Sequence, residues 1–167
     1  NTYTSMEIIR QTQEERGYRL SGEYQGFKFN QEEKYLDGFD AKNVTINYFK
    51  NNITEYSYNS EDKLYYRKKD GKAHIDELDK EPIVAKNIII QEAETKIIDN
   101  EGRLSIDLIG EGKGKYITNG KGIDIVWRKK SRNSKTYFYD ESGKEIVFNP
   151  GITWIQIVRT NPDIDIN

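Results

Sequence analysis

The chain has 167 residues, with 26 basic and 28 acidic side chains, one histidine and no cysteine. This length suits one domain with a sizeable core. A net charge of −2 gives no global attraction to nucleic acid or to an anionic membrane. Without cysteine, disulfides, thiolate zinc sites and a cysteine nucleophile are excluded. No apolar run approaches the ~20 residues of a membrane-spanning helix, so we expect any targeting signal to lie upstream of Asn1.

Residues 1–40 are expected to form a connecting segment that begins with a helix over residues 1–17. The run Thr4-Ser5-Met6-Glu7 matches a capping box, in which the threonine hydroxyl accepts from an orphan backbone amide. Gly17 is a typical residue at the end of a helix. The apolar positions of this helix are few and lie near its start. We therefore expect it to dock by its first turns or against a partner.

Residues 41–160 are predicted to form a β-rich domain. Apolar and polar residues alternate in several runs, which allows a strand to bury one face and expose the other. Asn119-Gly120 and Asp70-Gly71 are hairpin signals, because both central residues of a type I′ turn need a positive φ. The continuous run Ile88-Ile89-Ile90 predicts a central strand that is covered on both faces.

The fold class that follows is mainly β, at the margin of α+β. We expect an antiparallel twisted sheet, a meander or a sandwich, with one N-terminal helix. The final residues, 161–167, are acidic and are expected to form a frayed tail.

The single histidine, His74, precedes Asp76 by two residues, so both side chains can share one face of a strand. Such a pair can orient an imidazole tautomer for acid–base catalysis. No nucleophile stands at a suitable spacing, and the favoured interpretation is a structural hydrogen bond at a hairpin. A metal site would need a carboxylate cluster beside this histidine, and the sequence shows none, so no metal or cofactor is predicted.

A glycine-rich stretch, 110–115, and a basic run, 128–135, flank the Asn119-Gly120 turn and the strand that follows it. Backbone amides of glycines can hold an anion, and ammonium groups can raise the local potential. A β-bulge and a solvated charged edge are the plainer interpretations of the two stretches. If the two stretches meet, they form an anion-binding site whose candidate residues are Lys113, Lys115, Lys129, Lys130 and Arg132.

Several motifs between residues 43 and 158 occur together. They include Tyr65-Tyr66-Arg67, His74-Ile75-Asp76, Asn87-Ile88-Ile89-Ile90, Asp99-Asn100-Glu101-Gly102-Arg103, Trp127-Arg128-Lys129 and Asn149-Pro150-Gly151-Ile152-Thr153-Trp154. In combination they resemble the C-terminal domain of the YerB-type lipoprotein family, a domain family of unknown function. The helix at residues 1–17 resembles the segment that leads out of the first domain of that family.

The resemblance implies a bacterial, Gram-positive cell-envelope protein that is exported and held by a lipid on an N-terminal cysteine. We expect that cysteine and most of the first domain to lie upstream of this sequence, so that the membrane is reached only through that anchor. The expected function is a non-enzymatic binding or scaffold domain. The alternative is an envelope enzyme whose active site is shared with the upstream domain and includes His74 and Asp76. Expected partners are the upstream domain, an envelope protein or an anionic wall polymer, and no nucleic acid.

Overall fold

The computed structural model describes residues 4–167, which contain one helix and fourteen strands. The helix, α1, spans Met6–Glu15. The strands are β1 (Phe39–Asp40), β2 (Asn43–Phe49), β3 (Asn52–Asn59), β4 (Leu64–Lys69), β5 (Lys72–Ala73), β6 (Val84–Ala85), β7 (Asn87–Ala93), β8 (Thr95–Ile97), β9 (Leu104–Ile106), β10 (Gly110–Thr118), β11 (Lys121–Lys129), β12 (Tyr137–Tyr139), β13 (Thr153–Arg159) and β14 (Asp163–Ile166).

Twelve of these strands form two six-stranded sheets, and β8 and β9 form a separate two-stranded hairpin. The first sheet has the order β1-β11-β10-β7-β13, with β12 also paired to β11. The second sheet has the order β14-β2-β3-β4-β5, with β6 also paired to β4. The predicted mainly β, largely antiparallel architecture with one N-terminal helix is confirmed. Among the strand pairs of the described residues, only β7 and β13 run parallel.

Two apolar clusters cover the two faces of the first sheet. One lies between the sheets and joins Val44 and Tyr65 of the second sheet to Ile88 and Ile90 of β7. The other lies on the far face and contains Ile89 together with Tyr116, Trp127, Phe138 and Phe148. All three isoleucines of β7 are at most 1% exposed. The prediction of a central strand covered on both faces is therefore confirmed.

The hairpin turns follow from residues that tolerate a positive φ. Asn119 and Gly120 have φ values of 51° and 75° between β10 and β11, and Asp70 and Gly71 have values of 51° and 75° between β4 and β5. This is the backbone of a type I′ turn, in which asparagine, aspartate and glycine carry the lowest steric cost. Both predicted hairpins are confirmed.

Of the helix predicted over residues 1–17, residues 1–3 lie outside the described residues, and the helix is capped one residue later than the sequence predicted. Ser5 Oγ accepts a hydrogen bond from the Ile8 amide at 3.3 Å, so Ser5 rather than Thr4 is the N-cap. The helix ends before Gly17, whose φ of +64° matches the predicted stop. No residue of the helix is buried, and Met6 is 63% exposed. The helix therefore docks on nothing within the described residues.

The prediction of a frayed tail at residues 161–167 is wrong. Strand β14 pairs antiparallel with β2, and Ile164 and Ile166 pack against the cluster between the sheets. The Asn167 amide donates to the Asn43 carbonyl at 3.0 Å and the reverse bond is 2.7 Å long. The Asp-Ile-Asp-Ile alternation makes a two-faced edge strand, in which the aspartates stay in water.

The connecting segment is fixed to the first sheet by both apolar and polar contacts. Phe27 and Leu36 pack against the far cluster. Lys86, which is 3% exposed, donates from Nζ to Glu33 at 2.6 Å and to the Asn119 side chain at 2.7 Å. A buried ammonium is tolerated when each of its protons has a partner. Residues 27–40 therefore lie along the sheet that also carries the groove described next.

Candidate ligand-binding groove

An open groove with a volume of about 1090 Å³ lies beside β11 and β12. We call it the tyrosine groove. Its charged lining consists of four basic and two acidic side chains, Arg128, Lys129, Lys130, Lys135, Glu23 and Glu111. Its aromatic lining consists of Tyr24, Tyr137 and Tyr139. The groove is thus a net basic feature on a chain whose total charge is −2.

The register of three strands places four of the groove side chains, Glu111, Arg128, Tyr137 and Tyr139, on one face. Arg128 lies directly opposite Glu111 of β10 and, on its other side, opposite Tyr137 of β12. Directly opposed residues of an antiparallel pair point to the same side of the sheet. Tyr139 lies two residues from Tyr137 on the same strand and therefore shares that face.

Two stacked aromatic rings on this face have a cation at each end of the row. The rings of Tyr137 and Tyr139 are stacked with centroids 6.3 Å apart and planes inclined by 19°. Lys135 Nζ lies 4.7 Å from the Tyr137 ring, and the Arg128 guanidinium lies 5.3 Å from the Tyr139 ring. The negative face of an aromatic ring attracts a cation at these distances. The row is therefore held in shape before any ligand arrives.

Two of the four cations already have carboxylate partners. Arg128 Nε bonds Glu111 at 3.1 Å, and Lys135 Nζ bonds Glu145 at 3.2 Å with only 9% of its side chain exposed. The hydrogen bond from Lys28, together with that from Lys135, lowers the pKa of Glu145. Lys135 is thus a structural cation that anchors the row.

Lys129 and Lys130 are the cations of the groove that make no ion pair within residues 4–167. Lys129 donates to the Ser134 carbonyl, and Lys130 is exposed. These two lysines belong to the anion site predicted from the sequence. They are the groups with the most charge left to offer a ligand.

The predicted meeting of the glycine-rich stretch with the basic run is only half correct. Gly110 does lie opposite Lys129, but Lys113 and Lys115 lie opposite Val126 and Asp124, farther along the hairpin. Lys115 instead bonds Asp124 at 2.5 Å and lies over the Phe39 ring. Lys113, Lys115 and Arg132 do not line the groove. The reason for the two lysines is that the glycine-rich stretch is part of strand β10. An extended strand carries Lys113 and Lys115 away from the end of the hairpin at which the basic run lies.

The glycines of β10 serve packing and not anion binding. A Cβ at Gly112 would lie 2.6 Å from the Trp127 indole nitrogen, and one at Gly114 would lie 2.4 Å from the Ile90 carbonyl oxygen. Glycine at position 112 lets the Trp127 indole cross the strand and donate to the Glu92 carbonyl at 2.7 Å, and glycine at position 114 leaves room for the neighbouring strand β7. The backbone amides expected to hold an anion are engaged in the sheet.

Sequence reasoning missed the tyrosines of the groove. The Tyr-Phe-Tyr alternation at residues 137–139 is a local signal that two rings share a face while Phe138 is buried. The contribution of Tyr24 and Gln25 has no local signal. It depends on a contact across more than 100 residues, in which the Tyr137 hydroxyl donates to Gln25 Oε1 at 2.7 Å.

The candidate pair of His74 and Asp76 does not form. Asp76 Oδ1 accepts from the backbone amides of Leu78 at 2.8 Å and Asp79 at 3.3 Å, which turns it into the cap of the following turn. The Nδ1 atom of His74 is bonded by the Arg67 guanidinium. Burial, followed by the charges of Arg67 and Lys69, lowers the pKa of His74. This histidine is therefore a neutral acceptor, with its proton on Nε2.

Arg67 continues into a network that joins the two sheets. Its guanidinium lies 4.8 Å from the Trp154 ring, and its Nε donates to the Tyr56 hydroxyl at 3.3 Å. Gln156 of β13 bonds both Tyr56 and Tyr48, the latter at 2.7 Å. Burial raises the pKa of Tyr48 to about 12. In the described chain every buried side-chain nitrogen and oxygen has a partner, which favours a structural interpretation of this network.

Residues 4–167 contain no group of three or more histidine, aspartate or glutamate side chains arranged to hold a metal ion. The one described helix is neither long nor apolar enough to cross a membrane.

Comparison with known proteins agrees with the resemblance seen in the motifs. Residues 44–155 match the family described as "Protein of unknown function (DUF3048) C-terminal domain". The chain is 35% identical over 168 residues to "Putative lipoprotein YerB" of Bacillus subtilis (strain 168). The matched region covers 99% of this chain and 49% of that protein. The crystal structure of YerB protein from Bacillus subtilis matches with a TM-score of 0.81 and 34% identity, over 99% of this chain and 55% of that one. The chain spans about half the length of these relatives and belongs to the DUF3048 C-terminal domain family.

Proposed function

We propose that this chain is a non-enzymatic ligand-binding domain of an extracytoplasmic protein that a lipid anchors to the bacterial membrane. The relative named as a lipoprotein supports this location. The share of that relative that lies outside the match leaves room for an anchored upstream domain. In this arrangement the domain faces the cell wall, where anionic polymers are the abundant ligands.

The observation that carries the proposal is the tyrosine groove. It is open to solvent, holds about 1090 Å³ and has more basic than acidic side chains. Ligand sites for small molecules are commonly about 300–1,000 Å³ and largely enclosed, so an open groove of this size suits a segment of a polymer. Lys129 and Lys130 offer charge to phosphate groups, while Tyr139 offers an amphipathic ring edge and a hydroxyl.

The pre-formed row of cations and rings reduces the cost of binding. Side chains that are fixed before the ligand arrives lose little conformational entropy on association. Exposed charges are screened over ~8 Å at physiological ionic strength, so the affinity should fall as salt is added.

The alternative function, an envelope enzyme that shares its active site with an upstream domain, would use His74 and Asp76. No contact within residues 4–167 favours it, because His74 is bonded to Arg67 and Asp76 caps a turn.

The test is a titration with a poly(glycerol phosphate) at low and moderate salt, with neutral dextran as the uncharged polymer. We expect the Lys129→Gln, Lys130→Gln double variant to bind about tenfold more weakly, since two charge contacts at the surface contribute about 1.4 kcal/mol together. The matched control is the Lys96→Gln, Lys113→Gln double variant, which removes the same charge outside the groove. It should bind within about twofold of wild type.

Equal weakening in both double variants would show that net charge and not the groove determines binding. The absence of phosphate-polymer binding at low salt, or equal binding of dextran, would remove the proposal.

A further inference from the structure

The outer edge of β13 is unpaired in the described chain. This strand is the last of the first sheet and pairs only with β7, in parallel. The Asn87 amide donates to the Ile152 carbonyl at 3.0 Å, and this bond determines which residues of β13 direct their backbone N–H and C=O groups toward β7. Even-numbered residues of β13 direct their backbone groups to β7, and Thr153, Ile155, Ile157 and Arg159 direct theirs outward. None of these outward groups has a hydrogen-bond partner within residues 4–167.

This edge lacks the features that keep sheet edges from pairing. Natural edges carry lysine, proline, a bulge or a short strand. Strand β13 has seven residues, with no proline and with its one charge at Arg159. Its neighbour Ile152 is 58% exposed and Ile155 is 37% exposed. Strand β14, at an edge of the second sheet, has the opposite design and exposes Asp163 and Asp165.

We propose that β13 pairs antiparallel with β13 of a second copy of this chain, about a twofold axis at Gln156. An isologous contact of this kind requires a self-complementary surface. Centred on Gln156, the register places Ile155 opposite Ile157 and Trp154 opposite Val158 of the second copy. Thr153 then faces Arg159, and no like charges meet. The outward residues on each copy form the hydrogen-bonded pairs of the new ladder.

An apolar cavity of about 370 Å³ lies at one end of this edge. Val158 and Arg159 line it together with Ile97, Leu104 and Phe49, of which Ile97 is 72% and Phe49 is 65% exposed. The proposed register brings the exposed Ile152 of the second copy beside this end of β13. Burial of these side chains adds the hydrophobic contribution that a backbone ladder lacks.

The size of the edge sets the expected strength of the dimer. Seven residues extend about 23 Å, and the contact is smaller than the ~800 Å² per partner of a standard stable interface. We therefore expect dissociation constants on the order of micromolar.

This dimer does not depend on the tyrosine groove. Strand β12 of the groove and strand β13 lie at opposite sides of the first sheet. A dimer through β13 would place two grooves at the far ends of one continuous sheet. Two linked grooves on one polymer would bind with avidity greater than either alone.

The first measurement is sedimentation equilibrium of the whole chain up to about 500 µM, a range that spans the expected dissociation constant. We expect a concentration-dependent dimer for wild type. Ile155→Lys places a charge opposite Ile157 and should weaken the dimer at least about tenfold, as lysine does at natural edges. Leu78→Lys, at a side chain that is 94% exposed and distant in sequence from β13, should leave it unchanged.

The second measurement tests the register and remains valid if Ile155→Lys fails to fold. Because the chain has no cysteine, introduced thiols are the only ones present. In the Ile155→Cys, Ile157→Cys variant, the thiol at position 155 lies opposite the thiol at position 157 of the second copy. The Cα atoms of such a pair are about 5.5 Å apart, which is within the range that a disulfide can bridge. We expect a covalent dimer on mild oxidation, formed faster than in Leu78→Cys. A wild type that stays monomeric at all concentrations, or a double variant that crosslinks no faster than Leu78→Cys, would overturn the proposal.

Discussion

At the scale of single residues, His74 shows how a partner decides the role of an ionisable group. The Arg67 guanidinium donates to Nδ1, so protonation of His74 would break this bond and set two positive charges side by side. The folded pKa is therefore lowered, first by burial and then by the charges of Arg67 and Lys69. The unfolded chain, whose histidine pKa is about 6.5, binds more protons below that pH than the folded chain does.

The sign of the pH dependence follows from this difference. The stability contributed by neutral His74 is present above the unfolded pKa and is lost as the pH falls toward the lowered folded value. We expect the melting temperature of wild type to fall between about pH 7.5 and pH 5, a window in which most carboxylates stay ionised. The His74→Gln variant keeps an acceptor for Arg67 but does not titrate, so its melting temperature should fall less. Parallel pH profiles for the two proteins would contradict this account.

Residue-level expectations from the sequence succeeded where the cause is local. The positive φ of Asn119 and Gly120 depends on those two residues alone, and the sequence was sufficient. The roles of Lys115 and Asp76 depend on which side chain or amide stands next to them in space. Lys115 meets Asp124 across a hairpin whose register the predicted two-residue turn at Asn119-Gly120 already fixes. The expectation that Lys115 joins the basic run did not take this register into account. The candidate site was therefore predicted only for Lys129 and Lys130.

At the scale of elements, the two ends of the described chain differ in what they bury. Helix α1 has ten residues and none of them is buried, while isolated helices shorter than ~12–15 residues are marginal in water. Strand β14 has only four residues, but Ile164 and Ile166 pack against the cluster between the sheets. Burial and not length determines which end supports the fold.

Two truncations test this contrast. Removal of residues 161–167 should lower the free energy of unfolding by about 2–3 kcal/mol, because two half-buried isoleucines lose their contacts. Removal of residues 1–17 should leave it within about 0.5 kcal/mol of wild type. Urea unfolding followed by circular dichroism measures both. An N-terminal truncation as costly as the C-terminal one would show that the helix contributes packing that its exposure does not indicate.

Element types were predictable, and their partners were not. Alternation and glycine turns identified the β-rich chain, and the isoleucine run identified β7 as central. The parallel pairing of β13 with β7 depends on a connection that crosses the far face through Phe138 and Phe148. No period or turn residue encodes such a crossing. The acidic tail was misassigned because charge was weighed above the two-residue period of its isoleucines.

At the scale of the whole molecule, the two sheets are joined by buried polar contacts as well as by the apolar cluster between them. The Tyr65 hydroxyl of the second sheet donates to the Ala41 carbonyl at 2.9 Å and accepts from the Gly120 amide at 2.8 Å. Tyr65 is fully buried, and Gly120 is the turn residue between two strands of the first sheet. One hydroxyl thus ties the turn of one sheet to a central strand of the other.

Because the contacts between the sheets are shared, we expect the described residues to unfold in one transition. Tyr65→Phe removes the hydroxyl and leaves a buried carbonyl and a buried amide without this partner, which should cost about 1–3 kcal/mol. Tyr66→Phe is the matched control, since its hydroxyl bonds only the exposed Asp62 and its loss should leave the midpoint of unfolding unchanged. Hydrogen exchange locates the effect. Amide protection in β3 of the second sheet and β10 of the first should fall by the same factor in Tyr65→Phe, whereas a loss confined to one sheet would show that the two sheets unfold separately.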